Sequence, residues 1–205
     1  MRKEEGRKEE RKAYTEVTED AEFTEKKKNG QERRARLRPL EKERGRIERK
    51  VGMAATIRGY EARDFAAIHK LDQACFVPGI SYSKWTLQHF LDLDTADCLI
   101  AEEGKQLAGF ILAESHPPLA HIITLDIAAA HRRKGLGSAL LREMEEHFAF
   151  QGVQSVLLET AVDNEVAIAF WQRHGYSPEA VLKRYYIGRV DAYEMRKRMA
   201  GRSGK

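Results

Sequence analysis

Apolar residues along the chain recur with two different spacings, and the change from one to the other marks out the elements. ATIRGY, ending at Tyr60, has the composition of a short strand. ARDFAAIHKLDQACF then places Phe65, Ile68, Leu71 and Ala74–Cys75 on one stripe of a helix. SKWTLQHFL (83–91) repeats the spacing with Trp85, Leu87 and Phe90, and Ser83 is placed to cap its first turn. A hairpin follows, with strands over 97–102 and 106–114 and a turn at Glu103–Gly104–Lys105. LAHIITLDIA (119–128) predicts a longer strand and 136–150 an amphipathic helix. VQSVLLETA (153–161) predicts a strand, and EVAIAFWQRHG (165–175) a helix closed by Gly175. AVLKRYYIG and AYEMRKRM complete the series as an antiparallel pair. The order β-α-α-β-β-β-α-β-α-β-β predicts a single α/β (α+β) domain built on one mixed sheet.

Residues 1–52 show neither spacing. They carry 18 Lys and Arg against 13 Asp and Glu, whereas the rest of the chain carries 18 against 19. The excess positive charge of the protein therefore sits in its first quarter. So polar a segment buries too little apolar surface to offset the ~1–2 kcal/mol per residue of ordering a backbone. The expected organisation is a disordered charged extension over 1–52 and a globular domain over 53–200, with Met53 a second candidate for the natural start. RRARLR, with Lys26–Lys28 upstream, offers electrostatic contact to RNA or a ribosome, but interleaved glutamates and the lack of an aromatic platform favour a solvated tail. No run of 18 apolar residues predicts a membrane span, and the N-terminus lacks the apolar core of a secretory signal. Cys75 and Cys98 have no metal-ligand spacing, so no metal site is expected, and two reduced cysteines suit the cytoplasm.

The stretch HRRKGLGSALL (131–141) carries the chemistry. It joins the strand 119–128 to the helix 136–150, where the first helical N–H groups lack partners and carry the positive end of the dipole. Gly135 and Gly137 present no Cβ, and Arg132, Arg133 and Lys134 add charge, so the pattern suits a diphosphate. It is neither a dinucleotide GxGxxG fingerprint nor a P-loop, since no acidic ribose ligand and no GK[ST] follow. Arg132-Arg133-Lys134-Gly135-Leu136-Gly137 instead resembles the R/Q-x-x-G-x-G/A signature of the GNAT superfamily of acetyl-coenzyme A dependent N-acetyltransferases. TLDIA (124–128), LLETAVDNEVAIAFWQRHGY (157–176) and RYYIGRVDAYEMRKRM extend the likeness over residues 54–199. The last two segments resemble the ribosomal-protein-alanine N-acetyltransferase branch.

That resemblance implies a V-shaped slot between two central parallel strands, with helices on both faces of the sheet. It implies that the pantetheine arm of acetyl-CoA pairs with the backbone of Leu125, Asp126 and Ile127, and that the diphosphate rests on the loop from Arg132 through Ser138. Asn164 matches a position reaching the pantetheine arm and is equally well placed to cap the next helix. Glu159 aligns with the branch's general base, and His121 on the neighbouring strand is the alternative. Where the family commonly carries a tyrosine acid, this chain has Trp171, at the cofactor side of the slot, whose indole N–H is no useful acid. Tyr186, Tyr185 and Tyr176 are the phenols that could substitute, Tyr176 being the one expected in the core. One of the adjacent pair Tyr185–Tyr186 is also expected to be packed away, because neighbouring strand residues face opposite sides. The pair and the loop FVPGISYSKW (76–85) line the acceptor entrance. The implied reaction is acetyl transfer to a primary amine, with a protein or peptide N-terminus favoured over a small-molecule amine. A catalytically silent acyl-CoA-binding module is the reading from another class.

Overall fold

In the computed structural model the described residues are Arg49–Val51, as backbone, and Ala55–Met199. The expectations for residues 1–48 lie outside the described residues, as does Met53. Strand β1, Arg49–Val51, lies within the stretch expected to be an unstructured extension, and it pairs antiparallel with β2, Ala55–Gly59. Three residues are too few to show a period, so only the pairing reveals β1 as a strand.

The remaining elements follow the apolar spacing closely. Helices α1 (Phe65–Cys75) and α2 (Lys84–Leu91) precede the hairpin of β3 (Ala96–Glu103) and β4 (Gln106–His116). Strand β5 (Leu119–Ile127), helix α3 (Leu136–Gln151), strand β6 (Ser155–Ala161) and helix α4 (Glu165–Arg173) come next. Strands β7 (Ser177–Tyr186) and β8 (Val190–Arg198) close the sheet. Ser83 caps α2 as expected, its Oγ accepting the Thr86 N–H at 3.0 Å. The strand order is β1-β2-β3-β4-β5-β6-β8-β7, antiparallel throughout except for β5 beside β6. The intervening crossover helix α3 is what permits that parallel neighbour.

Alternate residues of the central strands supply two cores. Leu99, Ala101, Ile111 and Ala113 face α3 and α4 with Leu140, Met144, Phe148 and Trp171. Ile100, Phe110 and Leu112 face α1 and α2 with Ile68, Leu71, Leu87 and Phe90. Covered on both sides, β4 reads as a near-continuous apolar run, LAGFILA, rather than an alternation.

The parallel pairing is short. It joins Leu119, Ala120 and His121 to Ser155, Val156 and Leu157 and then stops, although β5 continues to Ile127 and β6 to Ala161. A register irregularity in β5 opposite Leu112/Ala113 falls just where the two strands part. The expected V-shaped slot is therefore present, with the far half of β5 as one wall.

Gly109 sets the position of that wall. It lies across from Ile127, and a Cβ there would come within 2.5 Å of the Ile127 Cδ1 and 2.7 Å of the Asp126 carbonyl oxygen. Because the second contact is with backbone, the strand itself must shift. Gly109→Ala is expected to cost about 1–3 kcal/mol and to weaken coenzyme A binding in parallel, as read by thermal unfolding and calorimetry. Unaltered affinity would detach Gly109 from the slot.

Candidate active site

Glu159 lies on β6 beyond the point where pairing with β5 ends, and His121 is the last β5 residue paired. The two candidates for a base prove to be one unit, with the imidazole Nε2 2.7 Å from a Glu159 carboxylate oxygen. Burial works against the imidazolium, but the charge and hydrogen bond of Glu159 outweigh it, supported by Glu114 and Glu194. His121 consequently holds its proton more tightly than an ordinary histidine. Glu114 faces His121 directly across the β4–β5 ladder, and Glu194 faces Glu159 across β6–β8, so one sheet face carries a row of carboxylates around a single imidazole.

Three phenols surround this pair. The Tyr186 hydroxyl donates to the Glu159 backbone carbonyl at 3.2 Å, and the Tyr185 phenol feels the Glu159 charge. The Tyr82 hydroxyl donates to the Ile123 carbonyl at 3.3 Å from the loop before α2. Burial first, then neighbouring charge including Glu159, raises the pKa of all three, so they are fully protonated at neutral pH. The strand rule that would send Tyr185 and Tyr186 to opposite faces fails here. Pairing of β7 with β8 is irregular between Leu182 and Tyr186, and Arg184 has a φ of +54°. This bulge re-aims the side chains, and both rings stay half-buried in an edge-to-face contact 4.9 Å apart. Asp191 holds the bulge, accepting from the Arg184 N–H at 2.8 Å and the Lys183 ammonium at 2.7 Å.

The other expected acid positions belong to the core. Tyr176 is buried and donates to Glu145 at 3.0 Å. Trp171, expected at the cofactor, is only 7% exposed and packs edge-on against Phe170 and Tyr176, so packing accounts for it. Leu136 likewise buries its side chain beside Ala55 and Ala108, leaving only its backbone for a ligand.

At the mouth of α3 the two glycines differ. Gly135 has a φ of +84° as the helix N-cap, a conformation that disfavours any Cβ, and a Cβ there would meet nothing within 4 Å. At Gly137 a Cβ would make only ordinary contacts, 3.4 Å from the Phe170 ring and 3.6 Å from Ile127, so neither backbone conformation nor packing demands a glycine there. Arg133 precedes them with a φ of +60° and an exposed side chain. The neighbouring charges are used internally. Arg132 donates from Nε to the Ile127 carbonyl at 3.0 Å and bracing contact continues to the Cys75 sulfur at 3.6 Å. His131 lies 2.6 Å and Lys134 3.8 Å from the Glu103 carboxylate. The loop from Arg132 to Ser138 thus keeps exposed N–H groups at a helix start, tied down by Arg132 and Glu103, which fits a diphosphate.

The slot wall fits a pantetheine arm as well. Ala128 N–H bonds Ala108 across the β4 ladder, so the Ile127 carbonyl points the other way, where Arg132 Nε and the Cys75 thiol already reach it. The two-residue period puts the N–H and carbonyl of Leu125 on that same edge, facing the slot. Asp126, between them, turns its side chain toward α1 and is 1% exposed. There its Oδ1 accepts from the Thr124 hydroxyl at 2.7 Å. Burial, with the charge of Asp72 added, pushes its carboxyl up to about 7. Asn164 caps α4, its Oδ1 accepting the Ala167 N–H at 3.1 Å. Sequence reasoning missed Gly109, Glu114 and Asp72. A glycine inside a strand pattern was the available signal for the first.

Comparison with known proteins agrees with this geometry. The Acetyltransferase (GNAT) family model matches residues 65–176. An uncharacterised N-acetyltransferase of Methanocaldococcus jannaschii is 28% identical over 149 residues, covering 72% of this chain and 94% of its own. N-alpha-acetyltransferase RimI of Mycobacterium tuberculosis is 33% identical over 102 residues, covering 47% of this chain and 63% of the relative. Among solved structures, the ribosomal-protein-S18-alanine N-acetyltransferase from Escherichia coli superposes with a TM-score of 0.66 at 24% identity, covering 74% of this chain and 99% of that one.

Proposed function

Because the chain belongs to the GNAT family, whose co-substrate is acetyl-CoA, we propose that this N-acetyltransferase acts on the α-amine of a peptide or protein N-terminus. The observation that carries the reading is the Glu159–His121 pair at the parting of β5 and β6, walled by Tyr82, Tyr185 and Tyr186. An α-amine of pKa ~8 is mostly protonated at neutral pH and must lose a proton before attack. The pair accepts that proton, and the carboxylate row on the same face favours a cationic amine over a neutral or acidic acceptor. Acetyl-CoA supplies an activated thioester. The loop Arg132, Arg133, Lys134, Gly135, Leu136, Gly137 and Ser138 holds its diphosphate, the edge of Leu125, Asp126 and Ile127 orients its arm, and the Asn164 amide assists. With Trp171 in the core, Tyr186 or Tyr185 takes the place of the family's usual acid beside the departing thiolate. The names of relatives such as RimI and N-alpha-acetyltransferase 30 support an N-terminal acceptor. A cytoplasmic setting fits the free Cys75 and Cys98.

Mass spectrometry of peptides after incubation with acetyl-CoA tests the reading. A peptide with a free N-terminal alanine should gain one acetyl group at its first residue, and the same peptide blocked there should gain none. Acetylation of a small-amine panel with no peptide product would move the acceptor to small molecules.

A further inference from the structure

The stoichiometry of the proposed reaction poses a problem that the base alone does not solve. An ammonium becomes an amide as the N–C bond forms and the C–S bond breaks, so nitrogen loses two protons. One ends on the departing sulfur. The other must reach solvent in every turnover, and the side chains of Glu159 and His121 are only 16% and 29% exposed before any substrate enters the slot. The structure offers a path in one direction. Glu159 meets His121 Nε2 at 2.7 Å, and His121 stands directly across from Glu114 in the β4–β5 ladder. Residues so paired have Cβ atoms about 4.5–5.5 Å apart. The side chain of Glu114 is 7% exposed, and its Oε1 accepts from the Thr95 hydroxyl at 3.0 Å. That same oxygen lies 3.5 Å from Nδ1 of His116, whose side chain is 65% exposed. His116 is two residues further along β4 and so shares its face. The line from slot to solvent thus alternates carboxylate, imidazole, carboxylate, imidazole.

We propose that Glu159, His121, Glu114 and His116 form a proton exit that carries the amine's proton from the slot to bulk water. The inference rests on the amine-acetylation reading above. An imidazole suits the second place because its two nitrogens let a proton arrive at one and leave from the other. The groups facing His121 are Glu114 from β4, Glu159 from β6 and Glu194 from β8. The nearby phenols Tyr82, Tyr185 and Tyr186 hold their own protons at neutral pH, so none of them is a vacant acceptor for the amine's first proton. Glu114 and His116 touch no substrate and act only by passing the proton on.

The test uses the full chain, acetyl-CoA and a peptide with a free N-terminal alanine. In dilute buffer Glu114→Gln and His116→Asn should each lower kcat about tenfold, a modest share of the 10²–10⁴ of general-base catalysis. The KM for acetyl-CoA should not change. Added imidazole should restore the rate of His116→Asn, an exposed position where folding is not at stake, which loss of a structural contact would not allow. In the free protein, Glu114→Gln should move the NMR titration midpoint of His121 downward, a readout independent of any acceptor. A His121 midpoint unmoved by Glu114→Gln, or His116→Asn turning over at full rate in dilute buffer, overturns the relay. Full activity of Glu159→Gln would instead overturn the base assignment.

Discussion

Glu159→Gln is expected to lower kcat by about 10²–10³-fold, within the usual range for a general base, while calorimetry finds coenzyme A bound as before. The amide keeps the size of the carboxylate and can still contact His121, so the slot should retain its shape. What it loses is the charge that takes the amine's proton. The pH profile separates this from a packing defect. In the parent protein His121 binds its proton more tightly than normal, so the acid limb of kcat should lie above the ordinary histidine value of about 6.5. Without Glu159, burial dominates and the limb should move to lower pH. A variant with unchanged kcat and an unchanged limb would remove Glu159 from the chemistry.

The second large effect concerns stability. Asp126 and Asp72 are buried carboxylates on β5 and α1, each with one oxygen lacking a hydrogen-bond partner. Asp126 has an ordinary value of 3.8 raised to about 7, first by burial and then by the charge of Asp72, against the opposing Thr124 hydrogen bond and Arg132. Between those values the folded state keeps a proton that the unfolded chain has released. Stability therefore falls as pH rises through that window, by about 4 kcal/mol in all. Asp126→Asn removes the titration. Between pH 5 and pH 8 the Tm of the variant should gain on the parent by about 5–10 °C, corresponding to roughly 2–3 kcal/mol. Parallel Tm curves across that range would show that the carboxyl ionises freely. Because Asp126 lies between the two residues of the slot edge, the same pH rise should loosen the wall that receives the pantetheine arm.

The elements were legible in the sequence because each reports a local cost. The stripe Phe65, Ile68, Leu71 shows a helix with one buried side, and the unbroken run in β4 shows a strand covered on both. Gly135 was singled out in the sequence as open backbone, and the structure adds another reason, since a helix entered through a left-handed residue favours one without a Cβ. A motif also carried the family, because HRRKGLG matches its glycine signature and the family model covers that stretch. Side-chain direction was less legible. The alternation rule separated Tyr185 from Tyr186, and the bulge at Arg184 reunited them.

By itself the sequence determined all the helices and strands from β2 onward, which faces they bury, and that a glycine between basic residues and an apolar run opens one helix, since these depend on residues within a few positions of each other. Tertiary structure alone decided that Glu159 and His121, rivals 38 residues apart, are one hydrogen-bonded pair, that Trp171 is core, and that Glu114 and His116 lie behind the pair. Those relations arise where strands distant in the chain are brought into register, and a linear pattern carries no record of which residues that register sets side by side.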